Sequence, residues 1–245
     1  MKDERIALAP GALTAPLPPV MVTVGDMEDS NVLTVAWTGI LATVPPKTYV
    51  SVRPQRHSYG MLKTGGEFVI NLPPASLAKT VDFVGIYTGA KVDKFKKCSL
   101  TKKKSAKVAP PTIAECPIAL ECVVTDVMPM GSHDVFVADI VAITCDANII
   151  DSEGKMHFER ADLLAYAHGE YYSLGERIGR FGFSTEKPAK PPKKTEKTNK
   201  TLEKQTEKEE CRPFYENAPR TRRTPKKPPS QKGAPHGKRK RGNNG

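Results

Sequence analysis

Short apolar, β-branched runs separated by polar or proline-containing breaks dominate the chain up to about Cys145. Residues 20–25 read as a first strand. The polar stretch 25–31 (GDMEDSN) turns the chain back into a second strand over 32–39, which makes a hairpin. Pro45 and Pro46 end that run, and 48–53 follows as a third strand rich in β-branched and aromatic residues. A short helix fits 58–63, with Ser58 as its N-cap and Gly65-Gly66 as its stop. Residues 67–72 give a fourth strand, ended by Pro73 and Pro74. Over 76–87, Leu77, Val81 and Val84 recur at the helical period, which predicts an amphipathic helix lying on the sheet.

Residues 88–111 are polar, lysine-rich and broken by Gly89 and Pro110-Pro111, a long connection of the kind that usually has a role. The two longest strand candidates, 118–127 and 135–144, are joined through MPMGSH and carry apolar residues on both faces. Ile118, Leu120, Cys122 and Val124 oppose Ala119 and Val123 in the first of them. Strands covered twice, hairpin connections and one longer helix favour a small closed or nearly closed β-barrel over a doubly wound parallel sheet. Residues 163–183 place Tyr166, His168, Tyr171 and Tyr172 among turn-spaced glycines and read as a closing flap.

Charge divides the chain. Residues 1–186 hold 19 Lys and Arg against 21 Asp and Glu, whereas 187–245 hold 19 against 6, so the net charge of +11 belongs to the tail. The Lys, Glu, Thr and Pro content from Lys187 onward predicts disorder, giving a domain over 1–186 and a basic tail over 187–245. The terminal run Lys238, Arg239, Lys240, Arg241 would meet nucleic acid or an acidic surface only without sequence specificity. Five cysteines with no C-x-x-C pair do not make a zinc pattern, and their odd number suits a reducing compartment. No signal-like segment and no run of 18 apolar residues occurs, so a cytoplasmic protein with no membrane contact is expected.

Arg53, Arg56 and Ser58 form the best candidate anion site. Guanidinium forks pair phosphate oxygens, and a helix start offers free N–H groups to the same charge. Surface arginines beside an ordinary helix cap would look the same. Thr34, Trp37, Thr38 and Thr43 add hydroxyls and an aromatic ring, yet these are also plain strand formers. Cys116 and Cys122 read as small core residues.

Several segments recur in a recognisable order: 31–39 (NVLTVAWTG), 49–59 (YVSVRPQRHSY), 67–73 (EFVINLP), Asp93-Lys94-Phe95, 115–122 (ECPIALEC), 131–134 (GSHD) and 169–172 (GEYY). Together they resemble the flavin reductase-like family with an FMN-binding split β-barrel, in its flavoredoxin-type branch, over roughly residues 13–184. The resemblance implies a mainly β split barrel that forms a homodimer with FMN at the subunit interface. It implies a phosphate held at Arg53, Arg56, His57, Ser58 and Tyr59, and an isoalloxazine resting against Thr34, Ala36, Trp37 and Thr38. Asn71 and Lys94 become further candidate contacts, Lys94 toward the N1/O2 edge, and His133 a candidate catalytic residue at the opening. The implied activity passes hydride or electrons from NADH or NADPH through FMN to a flavin or redox-protein acceptor. With no G-x-G-x-x-G segment, the nicotinamide donor would have to bind directly over the flavin. Two other readings share the site: a flavoredoxin-like electron carrier without its own NAD(P)H turnover, and a non-catalytic flavin-binding module.

Overall fold

The computed structural model describes residues 5–185; the predicted tail and the boundary before it lie outside the described residues. β1 (Val20–Gly25) and β2 (Ser30–Val35) form the expected hairpin, paired from Val20↔Val35 to Gly25↔Ser30. Gly25 has φ 89°, and a Cβ there would lie 2.0 Å from the Asp29 carbonyl oxygen, so the turn requires glycine.

The strand expected over 32–39 is two strands. β2 stops at Val35, Ala36 and Trp37 leave the ladder, and β3 (Thr38–Thr43) begins afresh. Both residues suit a continuous strand, so the apolar pattern alone does not reveal the break. β4 (Pro46–Val52) takes in Pro46 as its first residue, opposite Thr43 of β3. α1 (His57–Gly65) is capped by Arg56 without any side-chain cap bond. Ser58 is therefore not the N-cap: it is buried inside the first turn, where its hydroxyl accepts a 2.7 Å bond from Asn31 Nδ2. Gly66 does stop the helix, at φ 66° with its N–H on the Leu62 carbonyl.

β5 (Glu67–Leu72) leads through a 3₁₀ turn at Ala75–Leu77 into α2 (Ala78–Ile86), so the predicted helix is shorter than its period suggested. The long connection holds α3 (Lys94–Lys97) and β6 (Lys102–Lys103), the latter paired with β7 (Thr112–Ile113). β8 (Ile118–Pro129) and β9 (Asp134–Cys145) are the long pair, bent by irregularities at Glu121/Cys122 and Val124/Asp126. β10 (Leu164–Ala167) and β11 (Glu170–Ser173) form the flap hairpin.

Seven strands make one antiparallel sheet in the order β2-β1-β5-β8-β9-β4-β3. Its two ends curl toward each other. Val22 of β1, Leu33 and Val35 of β2, Phe68 of β5, Phe136 of β9 and Val50 of β4 all belong to one buried cluster, plugged by Leu62 of α1. Alternate residues point outward. Met21 and Val32 pack with Val81 and Val84 of α2 and with Phe95, Leu100 and Ile113 of the long connection, while Val69 and Ala119 meet Val108. These coverings explain why the strands are apolar on both faces. Phe68 and Phe136 are fully buried, and truncating either to alanine costs ~3–5 kcal/mol. The bond of 2.9 Å from Ser51 N–H to the Trp37 carbonyl extends the β3-β4 pairing by one residue, and β2 is not a ladder neighbour of β4: the barrel is split. Among the described residues no helix is long and apolar enough to cross a membrane.

Ahead of the flap, a loop is stapled by His157. Its Nε2 lies 2.8 Å from Asp151 Oδ2 and its Nδ1 2.9 Å from Glu159 Oε1, so both bonds form only with the imidazolium. Asp151, then Glu159, raise the His157 pKa, and His157 with the Lys155 N–H holds Asp151 down at about 2. A raised histidine pKa stabilises fully below the unfolded value and the gain is lost as pH rises through the folded value. The Asp151 contribution runs the other way, lost as pH falls below its unfolded value toward about 2. His157→Gln is therefore expected to lower the thermal midpoint most at about pH 5.5 and least at about pH 9. Unfolding curves across that range check it, and a pH-independent difference would remove the titrating staple.

Candidate functional site

A cleft of about 600 Å³ opens where the β2 edge faces the end of β4, a size within the ~300–1,000 Å³ usual for small-molecule and cofactor sites. β2 ends the hydrogen-bonded order, so one side of its backbone has no strand partner. The Val32 carbonyl faces that side, where Lys94 Nζ bonds it at 2.8 Å. By the strand period of two, the backbone groups of Thr34 turn the same way, and Ala36 follows just beyond the strand end. Among the described residues no other backbone group bonds them there, and both residues line the cleft. The Thr34 hydroxyl is used differently: it donates to the Val81 carbonyl at 2.5 Å and docks α2. Gly85, also at the cleft, approaches so closely that a Cβ would lie 3.2 Å from Thr34 Cβ.

Trp37 stands at the cleft, 40% exposed, with its ring edge-on to His133 at 4.5 Å. Arg53 Nε donates to His133 Nε2 at 3.3 Å, and Arg56 Nη1 donates to the Gly85 carbonyl at 2.8 Å. Neither guanidinium meets a carboxylate among the described residues. Most of their donors are thus uncommitted at one end of the cleft. Because His133 Nε2 accepts, its proton sits on Nδ1, 2.9 Å from Ser132 Oγ. Burial, then the charges of Arg53 and Arg56, push its pKa below the usual histidine value, which keeps the ring neutral at pH 7.

The opposite rim is the flap. His168 and Gly169 form the two-residue turn of the β10-β11 hairpin with φ 47° and 93°, the pattern of a primed turn, and together with Tyr166 they line the cleft. Tyr166 is tied by paired backbone bonds to Leu17, which brings Leu13 and Thr14 of the lead-in onto the same rim.

Of the candidate cofactor and catalytic residues read from the sequence, Thr34, Ala36, Trp37, Arg53, Arg56 and His133 line the cleft. The others stand outside its lining. Thr38 is buried with its hydroxyl on the Tyr49 carbonyl, and His57 is exposed at the start of α1. Ser58 is held by Asn31, and the Tyr59 hydroxyl donates to Asp134 at 2.5 Å. Asn71 is fully buried, donating to the Met21 carbonyl at 3.0 Å and accepting from Ile113 N–H at 2.9 Å. Lys94 is buried beneath the floor, with two 2.8 Å bonds to the Val32 and Val84 carbonyls. Burial first, and Arg56 second, lower its pKa to about 8. Sequence reasoning placed His168 and Gly169 in the closing flap without making them site residues, and it missed Gly85. A glycine inside an amphipathic helix and a His-Gly pair between short strands are the signals that point to them. Among the described residues no cluster of three or more His, Cys, Asp or Glu side chains is placed to hold a metal ion.

The fold is a split β-barrel whose cleft has an open strand edge for its floor and two guanidinium groups at one end. Residues 13–175 match the model of the flavin reductase like domain, and the chain belongs to that family. Among its relatives is an uncharacterised protein of Archaeoglobus fulgidus, 37% identical over 121 residues, covering 49% of this chain and 68% of the relative. Another, from Pyrococcus abyssi, is 27% identical over 168 residues, covering 69% of this chain and 96% of the relative. The flavoredoxin of Desulfovibrio vulgaris (Miyazaki F) superposes with a TM-score of 0.70 at 26% identity, covering 75% of this chain and all of that one. An FMN-binding protein from Thermus thermophilus superposes at 0.61 with 25% identity, covering 74% and 99%.

The internal bonds of Asn71 give it a structural role. Asn71→Ala would leave the Ile113 N–H unsatisfied in the core at a cost of ~2–3 kcal/mol. Urea unfolding is expected to show a lower midpoint with an unchanged slope, and an unchanged midpoint would refute this role.

Proposed function

We propose that the chain is an FMN-binding oxidoreductase of flavin reductase type, taking electrons from NADH or NADPH and delivering them to a flavin or protein acceptor. The observation that carries this reading is the pair of unneutralised guanidinium groups, Arg53 and Arg56, at one end of a cleft whose floor is an open strand edge. These features fit the two ends of FMN. The arginines would hold the phosphate, and the backbone groups of Thr34 and Ala36 would meet the donors and acceptors along the ring's polar edge. Trp37 and Tyr166 would exclude water from either rim. His133, neutral and with its proton on Nδ1, would orient a donor at the opening rather than supply charge. When bound, FMN supplies the redox chemistry, and the protein sets its orientation and electronics.

A homodimer belongs to the same proposal. β3 is an edge strand that exposes Ile40 and Leu41, with Val44 just beyond it; such an apolar edge calls for a covering surface. The likeness to flavoredoxin over that protein's whole length favours a second reading, an FMN electron carrier that turns over only with protein partners.

Mixing the purified protein with micromolar FMN is expected to give protein-bound oxidised-flavin bands, which NADH or NADPH bleaches without air. Bands that form but persist with both nucleotides would select the carrier, and no uptake would sink both readings. Arg53→Ala and Arg56→Ala should each weaken FMN on the order of 10- to 100-fold, with little change for riboflavin, which lacks the phosphate. An equal loss for both ligands refutes the phosphate assignment. Lys94 adds a pH dependence. An anion favours its protonated form, so FMN affinity relative to riboflavin should fall as pH rises through about 8, and Lys94→Met should abolish that slope.

A further inference from the structure

Residues 88–113 form a strap across the outer face of the barrel. α3 is tied to β2 by Lys94, and Lys102 Nζ reaches the Met27 carbonyl at the β1-β2 turn, 3.1 Å away. Buried Glu121 of β8 accepts the N–H groups of Ala106 and Lys107 at 2.9 and 2.6 Å, and Glu67 of β5 accepts that of Ala109 at 2.8 Å. Thr23 of β1 donates to the Pro111 carbonyl at 2.5 Å. The strap is thus fixed by its backbone, and these two carboxylates are engaged by its amide groups.

Its side chains are another matter. Residues 91–107 contain eight lysines and one acid, Asp93, whose carboxylate is occupied as the N-cap of α3. Lys91, Lys96, Lys97, Lys103, Lys104 and Lys107 are exposed, and none is in an ion pair among the described residues. Over 1–186 the chain is otherwise acidic in balance, so positive charge is concentrated on this one segment. The α3 end lies behind the cleft, since Lys94 bonds the carbonyls of Val32, next to Leu33 in the lining, and of Val84, next to Gly85 in the wall.

We propose that this strap is the docking surface for an acidic electron-transfer protein that exchanges electrons with the cleft; the electron exchange rests on the FMN reading above, while the docking does not. The composition favours a protein over nucleic acid. The segment has no arginine, and its one aromatic residue, Phe95, is buried. Phosphate recognition draws on bidentate forks and single-stranded binding on exposed rings, whereas ammonium point charges on a rigid support give long-range attraction and a short-lived encounter.

The test measures binding of the full chain to a plant-type ferredoxin, used as an acidic probe, by titration calorimetry. Affinity is expected to fall by more than about tenfold between roughly 20 and 200 mM salt. The combined Lys96→Glu, Lys97→Glu, Lys103→Glu, Lys104→Glu variant should lose at least about tenfold, and the matching glutamine variant a smaller part, with far-UV circular dichroism unchanged in both. Alanine at Lys238, Arg239, Lys240 and Arg241 should leave affinity as in the parent. The proposal is overturned if charge reversal leaves ferredoxin affinity unaltered, if the tail variant loses the binding instead, or if a 12-nucleotide single strand binds the strap more tightly than ferredoxin. FMN uptake is recorded on the same samples. Strap-dependent ferredoxin binding without flavin uptake would support the docking and overturn the electron exchange.

Discussion

The free side of β2 is the constraint on which the rest of the structure turns. A seven-stranded sheet that curls without closing leaves a row of backbone N–H and C=O groups without a ladder partner, and such groups must be met by something. The chain meets them piecemeal. Lys94 takes the Val32 carbonyl, and Thr34 and Ala36 are left facing the cleft, before Trp37 enters the β3-β4 pairing through Ser51. The same opening that weakens the barrel as a closed shell gives it a binding floor of fixed donors and acceptors.

Charge is distributed with the same economy. Glu67 and Glu121 bind strap amides instead of neutralising lysines, and among the described residues no carboxylate reaches Arg53 or Arg56. Arg56 lies near enough to lower the pKa of both Lys94 and His133, so the cations at this end of the cleft oppose one another. An anion entering there would relieve a repulsion the folded chain already carries, the physical ground for the phosphate end of the proposed FMN site.

The period-two runs made the barrel strands legible, and the residues apolar on both faces of β8 announced its double covering. The Arg53-to-Tyr59 stretch was legible as charge but not as geometry. Which of Arg56 and Ser58 caps α1 depends on Asn31, twenty-seven positions earlier, reaching the Ser58 hydroxyl, and no local pattern encodes that contact. The break at Ala36-Trp37 was invisible for a related reason: strand propensity describes a residue's fit to a pleated surface, whereas the break is imposed by the change from one sheet edge to the other. Asn71 became a candidate contact only through the family resemblance, and an asparagine inside an apolar strand must in any case have a partner. The partners proved to be the neighbouring backbone.

Lys94 joins these themes. An ammonium taken out of water carries a penalty of several kcal/mol, here visible in its lowered pKa. It is tolerated because one of its carbonyl partners, Val84, lies in the last turn of α2, where the helix dipole is negative, and the other lies on the open edge of β2. Two 2.8 Å bonds from one buried group therefore pin the strap to the cleft floor and to the helix whose Gly85 forms its wall. Any displacement of α3 must either break those bonds and leave a buried charge unpaired, or carry β2 and α2 with it. The lysine strap and the cleft are consequently one mechanical unit, joined through a residue that belongs to the surface of neither.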